Sequence, residues 1–156
     1  MNGTARVRIA TLLPGLSGRG VLLAAPIDAE RVRRTLAGSG FAVAEVAGPA
    51  AGLREAQAAI ARALRLPETA GRNLDALVDS LRDLATWWPD AERVVLLWPG
   101  AEQLVEGDLP GFLELTEILR GASDDLWRGG GPGDRQFETV AFVRRHGVRA
   151  LGEAPA

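Results

Sequence analysis

The chain has no cysteine, no lysine and no tyrosine, and its single histidine is His146. Without cysteine there is neither a disulfide framework nor a thiolate metal site, and a reducing compartment is the simpler setting. Without lysine there is no Schiff-base chemistry and no P-loop lysine to hold a phosphate. All 18 basic residues are arginine, a bias that, with abundant Ala and Gly, fits a GC-rich coding genome. One histidine and no cysteine leave the usual nucleophile–base pair almost nothing to draw on. Long apolar runs are also missing. Residues 1–26 are interrupted by Pro14, Gly15, Gly18 and Arg19, so no clean signal-peptide core forms. No window approaches the ~18 apolar residues of a membrane span. The expectation is therefore a cytosolic protein with no membrane contact. A net charge of −2 lacks the basic excess of a nucleic-acid-binding domain. No GxGxxG follows a strand, and the run Gly129–Gly133 has no Lys-Ser/Thr after it. It reads as a surface loop, and no cofactor is expected.

What is present is an ordinary globular composition, 47% apolar and 24% charged over 156 residues, enough for one domain with a real core. Val21–Ala25 reads as a buried strand. Asp28 is then a plausible N-cap for a helix over Ala29–Leu36, stopped by Gly38 and Gly40. A second strand is expected at Phe41–Val46 and an Ala-rich helix at Leu53–Leu64, ended by Pro67. Leu74, Leu77, Val78, Leu81, Leu84 and Trp88 follow helical spacing, which predicts an amphipathic helix of about four turns from Asn73 to Pro89. Val94–Trp98 is a continuous apolar run, as in a strand covered on both faces. A helix over Leu109–Leu119 and a strand over Thr139–Val143 complete the pattern. Residues beyond His146 read as a frayed tail, and His146 itself as exposed rather than catalytic. Trp87, Trp88, Trp98 and Trp127 read as core or helix-end packing. Strands alternate with helices, so the fold class is α/β, a small parallel sheet packed with helices in one domain spanning 1–156. Residues 1–40 read as a βα extension, an added layer on a compact core at 41–145.

The segment LPETAGRNLDALVDSL, Leu66–Leu81, carries the chemistry. It sets a Pro- and Gly-marked loop before a helix with Asp75 and Asp79 one turn apart. A like-charge i,i+4 pair costs a helix about 0.2–0.5 kcal/mol, so folding does not ask for it. On a helical wheel Asp75, Asp79 and Asp83 fall at about 0°, 40° and 80°, opposite the Leu and Trp stripe. The macrodipole favours an acid in the first turn, which accounts for Asp75 but not the other two. A solvated face part-neutralised by Arg72 and Arg82 is one reading, and a surface that meets a cationic partner is the other. A metal site is disfavoured, because Mg²⁺ or Ca²⁺ wants oxygens converging from several elements.

This segment resembles the barstar family of bacterial ribonuclease inhibitors, where Gly-x-Asn-Leu-Asp-Ala-Leu and a following Asp recur. The strand Val94–Trp98 resembles that family's apolar strand ending in Trp, and the later helix and strand come in the family's order. The resemblance implies a barstar-like fold of three core strands plus an extra N-terminal strand. It also implies an intracellular inhibitor, an immunity protein with no catalysis of its own, monomeric when free. Its partner would be an extracellular guanyl-preferring ribonuclease of the barnase type. Carried over by position, Asp79 takes the place of substrate phosphate among the nuclease's cations and Asp75 pairs with a neighbouring cation. Gly71 and Asn73 shape the loop and helix entry, while Thr69, Ala70, Arg72, Val78 and Asp83 complete the contact surface. The chain departs from the family at Thr69, at Ala70, at Val78 (a position often held by an aromatic or small residue) and at one acidic position. Thr69 and Ala70 stand where the family carries aromatic rings, and its acid on the helix before the last strand has no clear counterpart, with Gly121 near that place and Asp124 and Asp125 just beyond. The alternatives are a barstar-fold module for some other basic protein, and an enzyme or metal-binding protein using the carboxylate stripe.

Overall fold

The computed structural model describes residues 6–127, 134–145 and 147–152. The chain runs α1 (Ile9–Leu12), β1 (Ser17–Arg19), β2 (Val21–Ala24), a 3-10 turn at Pro26–Asp28, α2 (Ala29–Gly38) and β3 (Ala42–Glu45). It continues through α3 (Leu53–Ala63), a second 3-10 turn at Glu68–Gly71, α4 (Leu74–Arg82), α5 (Leu84–Trp87) and β4 (Arg93–Trp98). Finally come α6 (Ala101–Gly107), α7 (Leu109–Leu126) and β5 (Gln136–Phe142). The strands form one sheet in the order β1-β2-β5-β4-β3. β1 is antiparallel to β2, and the other pairings are parallel.

Alternation along the strands gives the sheet two apolar faces. Val94, Leu96 and Trp98 of β4 join Phe137 and Ala141 of β5 on one face, under Ile60, Leu77, Leu81, Leu104, Leu115 and Leu119 from α3, α4, α6 and α7. Trp98 meets Phe112 there with ring centroids 5.5 Å apart. Val95, Leu97, Val140 and Phe142 point the other way, under Ile9 and Leu13 from the N-terminal segment and Val32 and Leu36 of α2. A strand covered on both sides reads as an unbroken apolar run because neither set of alternate residues meets water.

The N-terminal extension thus does more than add a layer. β2 enters the sheet beside β5, and α1 with α2 covers its second face. The Arg33 Nε donates to Glu45 Oε1 at 2.8 Å, tying α2 to β3. Three expectations change in detail. Asp28 is nearly buried and makes no cap bond to α2. Its carboxylate accepts instead from the Leu151 N–H at 2.7 Å. Residues 147–152 are accordingly docked rather than frayed, with Leu151 packed against the second-face core, and the rest of the expected tail lies outside the described residues. α7 runs seven residues past Leu119, through Gly121, because Ala122, Ser123 and Leu126 are buried and hold it against the sheet. His146 and the Gly129–Gly133 loop lie outside the described residues, as does Arg128 beside Trp127.

Candidate functional site

The loop before α4 is built from behind. α3 ends at Ala63, and Arg65 takes a positive φ of 62° to turn the chain. Its guanidinium then sits 3.8 Å from the Trp88 ring centroid, a cation–π contact that holds an otherwise unfavourable backbone conformation. Pro67 starts the 3-10 turn, where the Ala70 N–H donates to the Pro67 carbonyl at 2.9 Å. From below, the buried Gln57 side chain on α3 donates to the Ala70 carbonyl at 2.9 Å. Gly71 fits closely against α3: a Cβ there would stand 3.2 Å from the Ala58 Cα, tight enough that the helix would have to give way slightly. Asn73 then caps α4, its side-chain oxygen accepting from the Ala76 N–H at 3.0 Å, one of the four donors a helix start leaves open.

On this frame Asp75 and Asp79 are both exposed and share the outer face of α4. Asp79 is 76% exposed, and its nearest cation is Arg82 at 3.8 Å. The same guanidinium reaches Asp125 of α7, also at 3.8 Å. Both separations are long for hydrogen-bonded pairs, so Arg82 is a loose counter-ion that leaves the Asp79 oxygens open to a partner. Thr69, Arg72 and Asn73 are exposed, and Gly71 and Val78 are half-buried. Arg72 pairs with Glu68 across the turn.

Two of the expected contact residues are placed differently. Ala70 is fully buried against α3, so its side chain faces inward and cannot touch a partner; it supports the loop. Asp83 is exposed but does not continue the stripe, because the predicted four-turn helix breaks there (φ −97°, ψ 26°) into α4 and α5. The tryptophans explain the break. Trp87 Nε1 donates to the Ser80 carbonyl at 3.0 Å, taking an acceptor at the end of α4. Trp88 Nε1 turns inward to the Leu64 carbonyl at 2.7 Å. Periodicity could not show this, since the apolar spacing survives a break of one residue. Nor did it reveal the Arg82 link from Asp79 to Asp125, which depends on α4 and α7 lying side by side.

The family described as Barstar (barnase inhibitor) matches residues 43–143. The chain belongs to the barstar family. The five-stranded, mostly parallel α/β architecture is a barstar-like fold, and the matched span holds α3, the loop, α4 and the three strands β3, β4 and β5. The extension over residues 6–42, with β2 and the helices of the second face, lies outside it. No curated protein and no solved structure gives a significant match. The barstar family is one of barnase inhibitors rather than of enzymes. Among the described residues no helix is long and apolar enough to cross a membrane, and no three acidic or histidine side chains gather as metal ligands would.

One acid stands apart from this surface. Glu138 of β5 is buried on the second face. Burial pushes its carboxyl above the usual range, against a hydrogen bond from Gln136 and the charges of Arg6 and Arg8. Gln136 also accepts from the Val7 N–H at 2.9 Å, so these two side chains anchor the N-terminal segment to the sheet.

Proposed function

We propose that this protein inhibits a secreted, guanyl-preferring ribonuclease of the barnase type by seating the 67–73 loop and the exposed face of α4 in the enzyme's cationic cleft. Asp79 takes the place of substrate phosphate, and Asp75 pairs with a neighbouring cation. Thr69, Gly71, Arg72, Asn73 and Val78 frame the contact. The observation that carries this reading is the pairing of two open carboxylates on one turn with a rigid mount, the Asn73 cap and the Gln57–Ala70 bond beneath the loop. A preorganised acid gives up little side-chain and backbone freedom on binding, so more of the interaction remains as affinity. Carboxylates meeting guanidiniums in a desolvated cleft form charge-assisted, often bidentate bonds, and opposite charge speeds the encounter. The protein performs no chemistry. It acts inside the producing cell as an immunity protein, monomeric when free, and excludes RNA by occupancy. The whole chain works as one domain, with residues 1–40 completing the sheet behind the barstar-like core.

A second reading has its own support: Ala70 faces inward and Thr69 offers no ring, so the loop lacks the rigid aromatic anchors that dominate many interfaces. On that reading the same surface serves a different basic protein. Inhibition assays against a panel of guanyl-specific ribonucleases separate the two. Stoichiometric inhibition of at least one enzyme supports the first, whereas full activity of every enzyme at micromolar protein removes the first and leaves the second.

A further inference from the structure

Beside the loop lies a groove of about 380 Å³ between α3 and the 3-10 turn. Its floor is Ala58, Leu66, Pro67 and Gly71, and exposed Arg62 and Arg72 stand at its rim. The groove exists because its walls are small. Gly71 lies against Ala58, where even a Cβ would crowd the helix. The volume falls within the roughly 300–1,000 Å³ that holds a compact organic group. Glu68 lines the rim as well, so two arginines against one acid leave it a net charge of +1. Arg72 is paired with Glu68, whereas Arg62 has no ion-pair partner among the described residues. One wall of the groove is the turn that leads directly into α4, so anything docked on Asp75 and Asp79 passes close to it.

We infer that this groove receives a partner segment in which an aromatic side chain stands next to a carboxylate. The ring fills the apolar floor and the carboxylate meets Arg62, with Arg72 exchanging its internal Glu68 contact for the incoming acid. This rests on the reading of the loop and α4 as a partner-binding surface, and it sharpens the partner's chemistry. The partner is bipolar, presenting a cationic cleft to the aspartates and an acidic loop with an aromatic tip to the arginines. A uniformly basic protein would meet repulsion at this end of the surface. In this arrangement the bulky group comes from the partner, and the small residues of this chain make room for it.

A heteronuclear NMR titration of the full chain with the blocked dipeptide phenylalanyl-glutamate tests the groove without any nuclease. Saturable amide shifts are expected at Ala58, Arg62 and Gly71, weaker with phenylalanyl-glutamine and absent with alanyl-glutamate. The Arg62→Glu/Arg72→Glu variant, altered only at exposed side chains, should bind the acidic dipeptide at least about fivefold more weakly. Asp79→Ala should bind it as the wild type does. Shifts that do not saturate, equal binding of the glutamine analogue, or undiminished binding by the double variant would overturn the proposal. If the dipeptide fails while a ribonuclease is inhibited, the groove falls and the inhibitor reading stands.

Discussion

Asp79 stands three-quarters exposed on α4 with only a loose arginine beside it, and this fixes what its removal should do to folding. A 3.8 Å surface pair contributes little, and deletion relieves repulsion from Asp75 one turn away. Asp79→Ala should therefore leave the denaturation midpoint unchanged or slightly raised; a loss above ~1 kcal/mol would mean that the acid serves the fold. Glu138 is the opposite case. Its folded-state pKa is raised above the ordinary value of 4.5, chiefly by burial, so the native state binds its proton more tightly than the unfolded chain. Stability from this group is then greatest below that ordinary value and is lost as pH rises through the raised pKa. Glu138→Gln should be more stable than wild type near neutrality, and urea midpoints across this window should fall less steeply with pH. A parallel dependence in both proteins would contradict the assignment. Residue-scale legibility followed exposure. The shared face of the acidic pair was readable because helical spacing is a local property, whereas the burial of Ala70 and the Asp28–Leu151 bond depend on segments distant in sequence.

At the scale of elements, α4 matters through its start and its end. The start rests on Asn73, whose side-chain Oδ1 accepts from the Ala76 N–H. Replacing such a cap by alanine typically costs ~1 kcal/mol. Asn73→Ala should lower stability by about that amount and also weaken partner binding, since the first turn carries Asp75; wild-type values for both would show that the cap is dispensable. The end at Asp83 was not legible. Leu84 and Trp88 fit the stripe equally well on a continuous helix, and only the indole bonds to the Ser80 and Leu64 carbonyls distinguish the two. The short α1, β1 and α6 were missed for a related reason: elements of three to seven residues carry too little periodicity to register. β4 was readable because burial on both faces leaves an unbroken apolar run.

For the whole molecule, the question is what the N-terminal segment does for a core that the family match begins only at residue 43. The second sheet face supplies the answer. Val95, Leu97, Val140 and Phe142 are covered by Ile9, Leu13, Val32 and Leu36, and a bare apolar face of that kind invites association. A chain lacking residues 1–40 should bind a hydrophobic dye, self-associate and lose cooperative unfolding, as read by light scattering and thermal melts. A soluble monomer with native-like cooperativity would show that the second face is self-sufficient.

Whether the Asp75–Asp79 face plugs a ribonuclease active site is decided by titrating a susceptible guanyl-specific ribonuclease with wild-type and Asp79→Ala protein. Stoichiometric inhibition is expected from the wild type, with a loss of at least ~2 kcal/mol in affinity, about thirtyfold, for the variant. Equal inhibition by the two proteins would contradict it.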